Sequence, residues 1–500
     1  MLQWIFGLRG KACLTGLAIA CFCQRQPLRA VTLTDFGYQN LSINGKLASG
    51  SRPLLAIFVN FQGQDPLPFP ITTYSNLVFN TSETPSMNGY YQACSDGGFS
   101  LARGGAIMLT LPASQNFSVY SNTYPPFIRD GVYSSNIIAQ AMSSGRFDFA
   151  SYDANHDGNI SPDELSIMII VSDVGWTFGG SRTSPTVSVP GINYTWGSGA
   201  NDPHPNVALL GRQAPFTVWC EETEETWGAL DIYGPDQLCL SMTLSPQSCT
   251  YDTSSLIGAY YYLDPWNRME LGWCQPRIYS LTAGGKATIS AAQAGDPTSP
   301  IILYDPAQGP GEFFILEYRT SINSVYGPGY DQDAGNDESD PASYGLVIWH
   351  VQQNTSTHSY NFVTSPSGVT NTPANWSENS PNLIPGDIPV LWGGNSTTPN
   401  LKWINGTQTL TTIHVHPFNP GDNSITVEWL IAEDTWVDFN YTGSTQNGTF
   451  ANPYKTMAAG IAAASYGGTL HLKTGTSSEM PTITKPLKIV GYNGPATIGQ

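Results

Sequence analysis

A twelve-residue segment that begins at Asp153 constrains this chain more than any other feature. It reads DANHDGNISPDE, with oxygen-bearing side chains at positions one, three, five, nine and twelve and a glycine at position six. That spacing is typical of a loop that wraps a calcium ion, because the glycine permits the sharp turn and the final glutamate supplies two oxygens. The predicted calcium ligands are Asp153, Asn155, Asp157, the carbonyl oxygen of Asn159, a water beneath Ser161, and Glu164.

The residues that follow this loop predict a buried strand. Segment 165–171 is apolar and rich in β-branched residues, which favours a strand over the second helix of an EF-hand. A single loop of this kind, without a second EF-hand loop beside it, indicates structural calcium rather than a calcium sensor. The alternative is a solvated turn rich in Asp and Asn that holds no ion.

A second acidic segment, 331–340, also carries oxygen ligands. Its candidate residues are Asp331, Asp333 and Asp337, but they lack the twelve-residue register. The segment is interpreted as a solvated loop, with a calcium-ordered loop as the alternative.

The amino terminus has the pattern of a secretory signal. Arg9 and Lys11 precede an apolar run over 12–23, and processing is expected near Ala30, which assigns 1–30 to a signal peptide. No later run is long and apolar enough to span a bilayer, so the mature protein is expected to be secreted and extracellular. The formal net charge of -18, with no basic cluster, argues against nucleic acid or an anionic membrane as a partner.

Secretion bears on the cysteines and on possible glycosylation. Five cysteines follow the leader, which predicts two disulfides and one spare thiol in an oxidising compartment. They are Cys94, Cys220, Cys239, Cys249 and Cys274. Asn-x-Ser/Thr triplets, among them those at Asn80, Asn193, Asn354 and Asn405, predict glycosylation if the host is eukaryotic.

An acidic segment, 221–234, reads EETEETWGALDIYG. It resembles the H-E-x-x-H-x-x-G-x-x-D-x-Y signature of the immune inhibitor A-like secreted metallopeptidases, with both histidines replaced by glutamate. The resemblance places Glu222 at the general-base position and Glu221, Glu225 and Asp231 at the metal-ligand positions. Further blocks resemble the family in the same order, namely 51–61, 90–99, 264–273, 313–319 and 345–350.

The chemistry of the acidic segment has three interpretations. Carboxylates suit calcium, magnesium or manganese better than zinc, which favours a peptidase fold that has lost its zinc and its activity. A carboxylate-bridged metal site could instead still hydrolyse a substrate, with Glu222 as base. The third interpretation is a water-exposed acidic helix with no ligand.

Composition and resemblance together predict an α+β chain in three parts after the leader. Residues 31–285 form a zincin-like mixed α/β domain, 286–430 a β-sandwich-type extension, and 431–500 the start of a module that resembles pectate-lyase-type parallel β-helices. The implied function is that of a calcium-binding, catalytically impaired metallopeptidase-like protein with a protein or peptide ligand, and calcium rather than zinc is the expected cofactor. The alternatives are an active metal-dependent endopeptidase with a carboxylate-rich site, and a cell-surface or matrix adhesion protein.

Overall fold

A computed structural model describes most of the chain after the predicted leader. The described residues are 31–41, 46–80, 86–123, 126–175, 187–189, 192–194, 207–214, 216–229, 263–292, 294–320, 345–352, 372–373, 396–398, 401–403, 405, 407, 409–419, 421–431, 434–464, 468–483, 485 and 487–499. Contacts divide the chain into a short unit, Met1–Thr32, and a large unit, Leu33–Gln500. The signal-peptide prediction, Asp231, the acidic segment 331–340, Cys239 and Cys249 lie outside the described residues.

The large unit contains both helices and strands, which confirms the α+β class. The helices are α1 (Ile71–Phe79), α2 (Met87–Cys94), α3 (Phe117–Ser121), α4 (Pro126–Ser143), α5 (Phe216–Glu225), α6 (Pro265–Glu270) and α7 (Met457–Ala463), with 3-10 turns at Leu33–Phe36, Ala113–Gln115, Phe149–Tyr152 and Leu281–Ala283. The strands are β1 (Gly50–Phe61), β2 (Phe99–Leu111), β3 (Asn159–Ile160), β4 (Ser166–Val171), β5 (Val187–Val189), β6 (Ile192–Tyr194), β7 (Val207–Gly211), β8 (Arg277–Ser280), β9 (Gly285–Ser290), β10 (Ile301–Tyr304), β11 (Glu312–Arg319), β12 (Gly345–Gln352), β13 (Thr372–Pro373), β14 (Ser396–Thr397), β15 (Thr411–Val415), β16 (Ser424–Ile431), β17 (Thr435–Val437), β18 (Thr469–Ser477) and β19 (Lys488–Ile498).

The first region is built on a parallel sheet in the order β2-β1-β4-β7. Every residue of β4 and β7 is buried, as expected for parallel strands that are covered on both faces. The strand predicted after the candidate calcium loop is thereby confirmed as β4. Helix α4 covers the sheet through Tyr133, Ile137 and Ile138, which are fully buried in its core.

A glycine permits the close pairing of β1 with β2. The register between the two strands shifts between Leu54 and Leu55. A Cβ atom on Gly104 would lie 2.4 Å from the carbonyl oxygen of Leu54, a distance that side-chain carbons do not tolerate. The bulge therefore requires glycine at this position.

The second region consists of two sheets that share one hydrophobic core. Their strand orders are β13-β12-β11-β10-β8 and β14-β15-β16-β9. Phe314 and Ile348 of the first sheet lie in one cluster with Ile413 and Val427 of the second, as in a sandwich-type arrangement. The first sheet begins at Arg277, before the predicted boundary at 286. The four half-buried residues of β8 do not alternate in burial, so no period-two pattern marks this strand.

The last region is a small parallel sheet in the order β17-β18-β19. Helix α7 packs on it, and Val437, Ile461 and Leu470 form its core. Among the helices of the described residues, none is both long and apolar enough to cross a membrane.

Buried charges connect the first region to the second. Arg268 of α6 lies 3.4 Å from Glu317 of β11, and Arg319 on the same strand pairs with the other oxygen of that carboxylate. All three side chains are at most 5% exposed. Removing one partner of such a buried ion pair strongly destabilises the folded protein, because the remaining charge is left uncompensated.

We therefore expect Glu317→Gln to lower the free energy of unfolding by about 3–5 kcal/mol, because it removes the carboxylate that two buried guanidinium groups share. Chemical denaturation measures this loss. The matched control is Glu428→Gln, since Glu428 pairs with His416 at the surface with 36% of its side chain exposed. That change should cost about 1 kcal/mol or less. Equal losses in the two variants would contradict the assignment.

Candidate functional site

The acidic helix α5 follows the edge strand β7 and is anchored by tryptophans at both ends. The Trp219 indole donates a hydrogen bond to the carbonyl oxygen of Ala214 at 3.0 Å, and the Trp227 indole donates to the Ser166 hydroxyl at 2.8 Å. The ring of Trp227 also packs against Tyr91 and Phe99, with centroid distances of 4.8 and 4.6 Å. Aromatic contacts and indole hydrogen bonds thus fix the helix against the sheet and α2.

The four glutamates of α5 differ in burial. Glu221 is 8% exposed and Glu224 1% exposed, whereas Glu222 and Glu225 are half-buried. The interpretation of this segment as a water-exposed acidic helix is therefore wrong. The structure brings the predicted base, Glu222, and two predicted ligands, Glu221 and Glu225, onto one helix. Their predicted third ligand, Asp231, lies outside the described residues.

Glu224 is the residue that sequence reasoning missed. Among the described residues, none donates a hydrogen bond to either of its carboxyl oxygens, although the side chain is almost completely buried. Burial raises its pKa well above the usual range, and the neighbouring Glu221 and Asp264 carboxylates raise the pKa further. This environment therefore favours the neutral acid of Glu224 over its carboxylate. The signal was the spacing Cys220, Glu224, Trp227, which places Glu224 on the apolar face of the helix.

Several other titratable groups surround Glu224. Asp264 is fully buried at the start of α6, where it accepts hydrogen bonds from the Asn267 backbone amide and side chain at 2.8 Å each. Burial raises the pKa of Asp264 to about 7, although the Asn267 hydrogen bonds oppose the rise. The Tyr91 hydroxyl donates to the carbonyl oxygen of Cys220 at 2.6 Å, which joins α2 to α5.

The described cysteines near this helix are free thiols. Cys94, Cys220 and Cys274 are buried and form no disulfide, which leaves too few of the five cysteines for two bridges, so the prediction of two disulfides is wrong. Burial raises the pKa of the Cys94 and Cys274 thiols to about 12, and it raises that of Cys220 well above its usual range. Such thiols are poor nucleophiles at neutral pH, because the thiolate is the reactive form.

The candidate calcium loop has an ordered set of internal hydrogen bonds. Asp153 accepts from the amides of Asp157 and Gly158 at 3.1 and 2.9 Å. Glu164 accepts from the amides of Ala154 and Ser161 at 3.1 and 2.9 Å, which closes the loop from end to end. All six predicted ligand positions, 153, 155, 157, 159, 161 and 164, are thus held in one loop that leads directly into β4.

The chemistry of this loop suits a hard cation. Its oxygens come from carboxylates, an amide, a backbone carbonyl and a hydroxyl, which is the mixture that calcium accepts. Within the described ranges, no three or more His, Cys, Asp or Glu side chains come together as a group that could hold a metal ion. The loop has only three such side chains at ligand positions, namely Asp153, Asp157 and Glu164. A calcium site here would therefore depend on the amide, carbonyl and water ligands as well.

Comparison with known proteins adds no family to this description. No protein-family model matches the chain, and no curated protein matches it at a significant level. The similarity to immune inhibitor A-like peptidases therefore remains a prediction from the motif blocks.

The burial of Glu224 predicts a pH dependence of stability. An acid whose pKa is raised by folding contributes stability that is fully present below its unfolded pKa of about 4.3 and is lost as the pH rises through the folded value. We expect Glu224→Gln to keep the shape of the neutral acid, so the difference in free energy of unfolding between the variant and the unsubstituted protein should shift in favour of the variant as the pH rises above about 5. Chemical denaturation across that range measures it.

The matched control is Glu222→Gln, two residues away on the same helix and half-buried. Its stability difference from the unsubstituted protein should change little with pH. A Glu224→Gln difference that is flat over the same range would refute a protonated Glu224.

Proposed function

We propose that this protein is a secreted, catalytically inactive relative of the immune inhibitor A-type metallopeptidases, stabilised by calcium and acting by binding a protein or peptide. The observation that carries the proposal is helix α5. It keeps the spacing of a zinc-peptidase helix but presents Glu221 and Glu225 where that chemistry needs histidines.

Zinc chemistry explains why this exchange favours an inactive protein. Zinc in proteins draws much of its affinity from imidazole and thiolate ligands, whereas carboxylates suit harder ions. Three carboxylates around zinc would also neutralise its charge, so a bound water would ionise less readily. A site composed of Glu221, Glu225 and Asp231 is accordingly a poor generator of hydroxide.

The packing of α5 supports the same conclusion. A catalytic metal needs an open coordination position for water and substrate. Glu221 is buried, and the adjoining face of the helix carries the buried Cys220, Glu224 and Trp227. These side chains face the protein interior, which suits a retained scaffold better than a working cleft.

The parts of the fold around α5 agree with a peptidase-like ancestry at a coarser level. Strand β1 of the parallel sheet, helix α6 at 265–270 and strands β11 and β12 coincide with motif blocks that resemble the family. The parallel pairing of β17, β18 and β19 likewise supports the proposal that a β-helix-like module begins there.

Metal content tests the calcium part of the proposal. After dialysis against trace calcium and zinc, we expect about one calcium per chain at the 153–164 loop and no stoichiometric zinc. Glu164→Gln should lose the calcium and the rise in melting temperature that calcium confers, because the bidentate ligand is removed. Asp148→Asn, just outside the loop, should keep both. Calcium retained by Glu164→Gln would place the ion elsewhere.

Restoring the histidines tests the peptidase-like geometry of α5. The double variant Glu221→His/Glu225→His should gain zinc binding in a calorimetric titration, because its imidazoles lie one helical turn apart on one face. The matched control, Glu221→His/Glu222→His, has the same composition at adjacent positions and should gain none. Zinc binding by neither variant, or equally by both, would contradict the geometry.

Casein cleavage tests the loss of activity. The unsubstituted protein should release no more peptide than the Glu222→Gln variant, with or without added zinc. Cleavage that disappears in Glu222→Gln would overturn the proposal and favour an active enzyme with a carboxylate-rich metal site.

A further inference from the structure

Two Asn-Gly-Thr triplets, 405–407 and 447–449, share one local geometry. Asn405 accepts hydrogen bonds at Oδ1 from the Thr407 amide at 2.9 Å and from the Thr407 hydroxyl at 2.6 Å. Asn447 accepts the same two bonds from Thr449, at 3.2 and 2.8 Å. In both triplets the threonine thus fixes the orientation of the asparagine amide.

Both asparagines are exposed, and both lie where the chain turns. Asn405 is at the tip of a hairpin, since the Trp403 amide donates to the carbonyl oxygen of Thr407 at 2.8 Å. Asn447 precedes Gly448, whose φ of +77° allows the turn and whose carbonyl oxygen accepts a bond from Trp436. Among the described residues, none accepts a hydrogen bond from the Nδ2 atom of either asparagine, so these nitrogens remain available.

We infer that Asn405 and Asn447 are acceptors of N-linked glycans, an inference that rests on the proposed secretion and requires a eukaryotic secretory pathway. The donor is a lipid-linked oligosaccharide diphosphate. The Nδ2 atom forms a bond to the anomeric carbon, the bond from that carbon to the diphosphate oxygen breaks, and Nδ2 loses one proton. The threonine hydroxyl holds the amide in the conformation in which Nδ2 faces outward.

The geometry of these triplets is local, which matters for the timing of the modification. In each triplet the hydrogen bonds between the asparagine and the threonine lie within three residues, and such bonds form without long-range contacts. The acceptor conformation is therefore available in a chain that has not yet folded. After folding, both asparagines still face solvent, so an attached glycan displaces no packed side chain.

Other triplets with the same consensus are engaged in the folded protein. The Asn193 amide donates through Nδ2 to Asn159 of the candidate calcium loop at 3.0 Å. The Asn440 amide donates to the carbonyl oxygen of Thr474 on β18 at 3.2 Å. A glycan on either nitrogen would remove a bond that the fold uses. Asn116 lies between these two groups of triplets. Its Oδ1 atom accepts a hydrogen bond from the Ser118 hydroxyl, as in the exposed triplets, but its side chain is half-buried as the N-cap of α3.

An exposed aromatic cluster supports the assignment of Asn447. Phe450 follows it by three residues, is 50% exposed, and packs against Trp436 and Tyr492 with centroid distances of 4.8 and 5.6 Å. Exposed apolar groups of this size favour association with other surfaces. A glycan on Asn447 would cover this cluster.

Peptide mass spectrometry tests the inference directly. The full chain is secreted from eukaryotic cells behind a leader of the host, and glycans are removed enzymatically in ¹⁸O-water. The mark of a formerly modified asparagine is the ¹⁸O label in excess of that in a sample incubated without the enzyme, because Asn-Gly sequences also deamidate spontaneously. We expect the mark at Asn405 and Asn447 in most chains and at Asn193 and Asn440 in few. No mark at Asn405 and Asn447, or an equal mark at all four positions, would overturn the inference.

Matched threonine variants test the role of the hydroxyl. Thr407→Val has nearly the same shape without the hydroxyl and should lose the mark at Asn405 alone, whereas Thr407→Ser should keep it. Thr449→Val should act in the same way at Asn447 alone. A second expression with residues 1–30 of the chain as the leader tests secretion separately, and neither experiment depends on the metal or casein assays.

Discussion

One buried guanidinium, that of Arg268, joins three parts of the fold. It donates to the carbonyl oxygen of Cys94 at the end of α2, with a distance of 2.9 Å, and it pairs with Glu317 in the second region. It also lies near the Cys94 and Cys274 thiols, whose pKa values its charge lowers against the larger effect of burial. Because a charge in the interior is tolerated only with partners, α2, α6 and β11 must keep these relative positions. The hydrogen bond from the Tyr91 hydroxyl to the carbonyl oxygen of Cys220 then joins α5 to α2.

The acidic helix sits inside this framework with an unusual distribution of charge. Glu222 and Glu225 are half-buried, whereas Glu224 is almost completely buried near Tyr90 and Cys220, and burial raises its pKa well above the usual range. An isolated carboxylate in such surroundings would be very costly, so protonation is the lower-energy state.

Much of the local structure could be predicted from the sequence. The apolar, β-branched run after the candidate calcium loop predicts a strand, and the structure has it as β4. The family-like blocks 51–61 and 313–319 coincide with β1 and β11. The burial of Glu224 could not be predicted with equal ease, because four glutamates in five residues suggest a solvated surface. Only Cys220 and Trp227, one helical turn or less away on the same face, indicate that this face is covered. The thiols show a similar limit, since cysteine spacing cannot distinguish a bridge from three buried residues that pack as hydrophobes.

The candidate calcium loop also affects the sheet beyond its own surface. Glu164 closes the loop and precedes the first residue of β4 by only two positions, and Asn193 of β6 is hydrogen-bonded to Asn159 within the loop. In a strand, a slip of one residue would turn every side chain to the opposite face. The loop is therefore positioned to fix the register in which β4 pairs with β1. By holding Glu164, it determines which β4 residue meets Leu54 and Leu55 of β1, and through that pairing it sets the alignment of the whole parallel sheet.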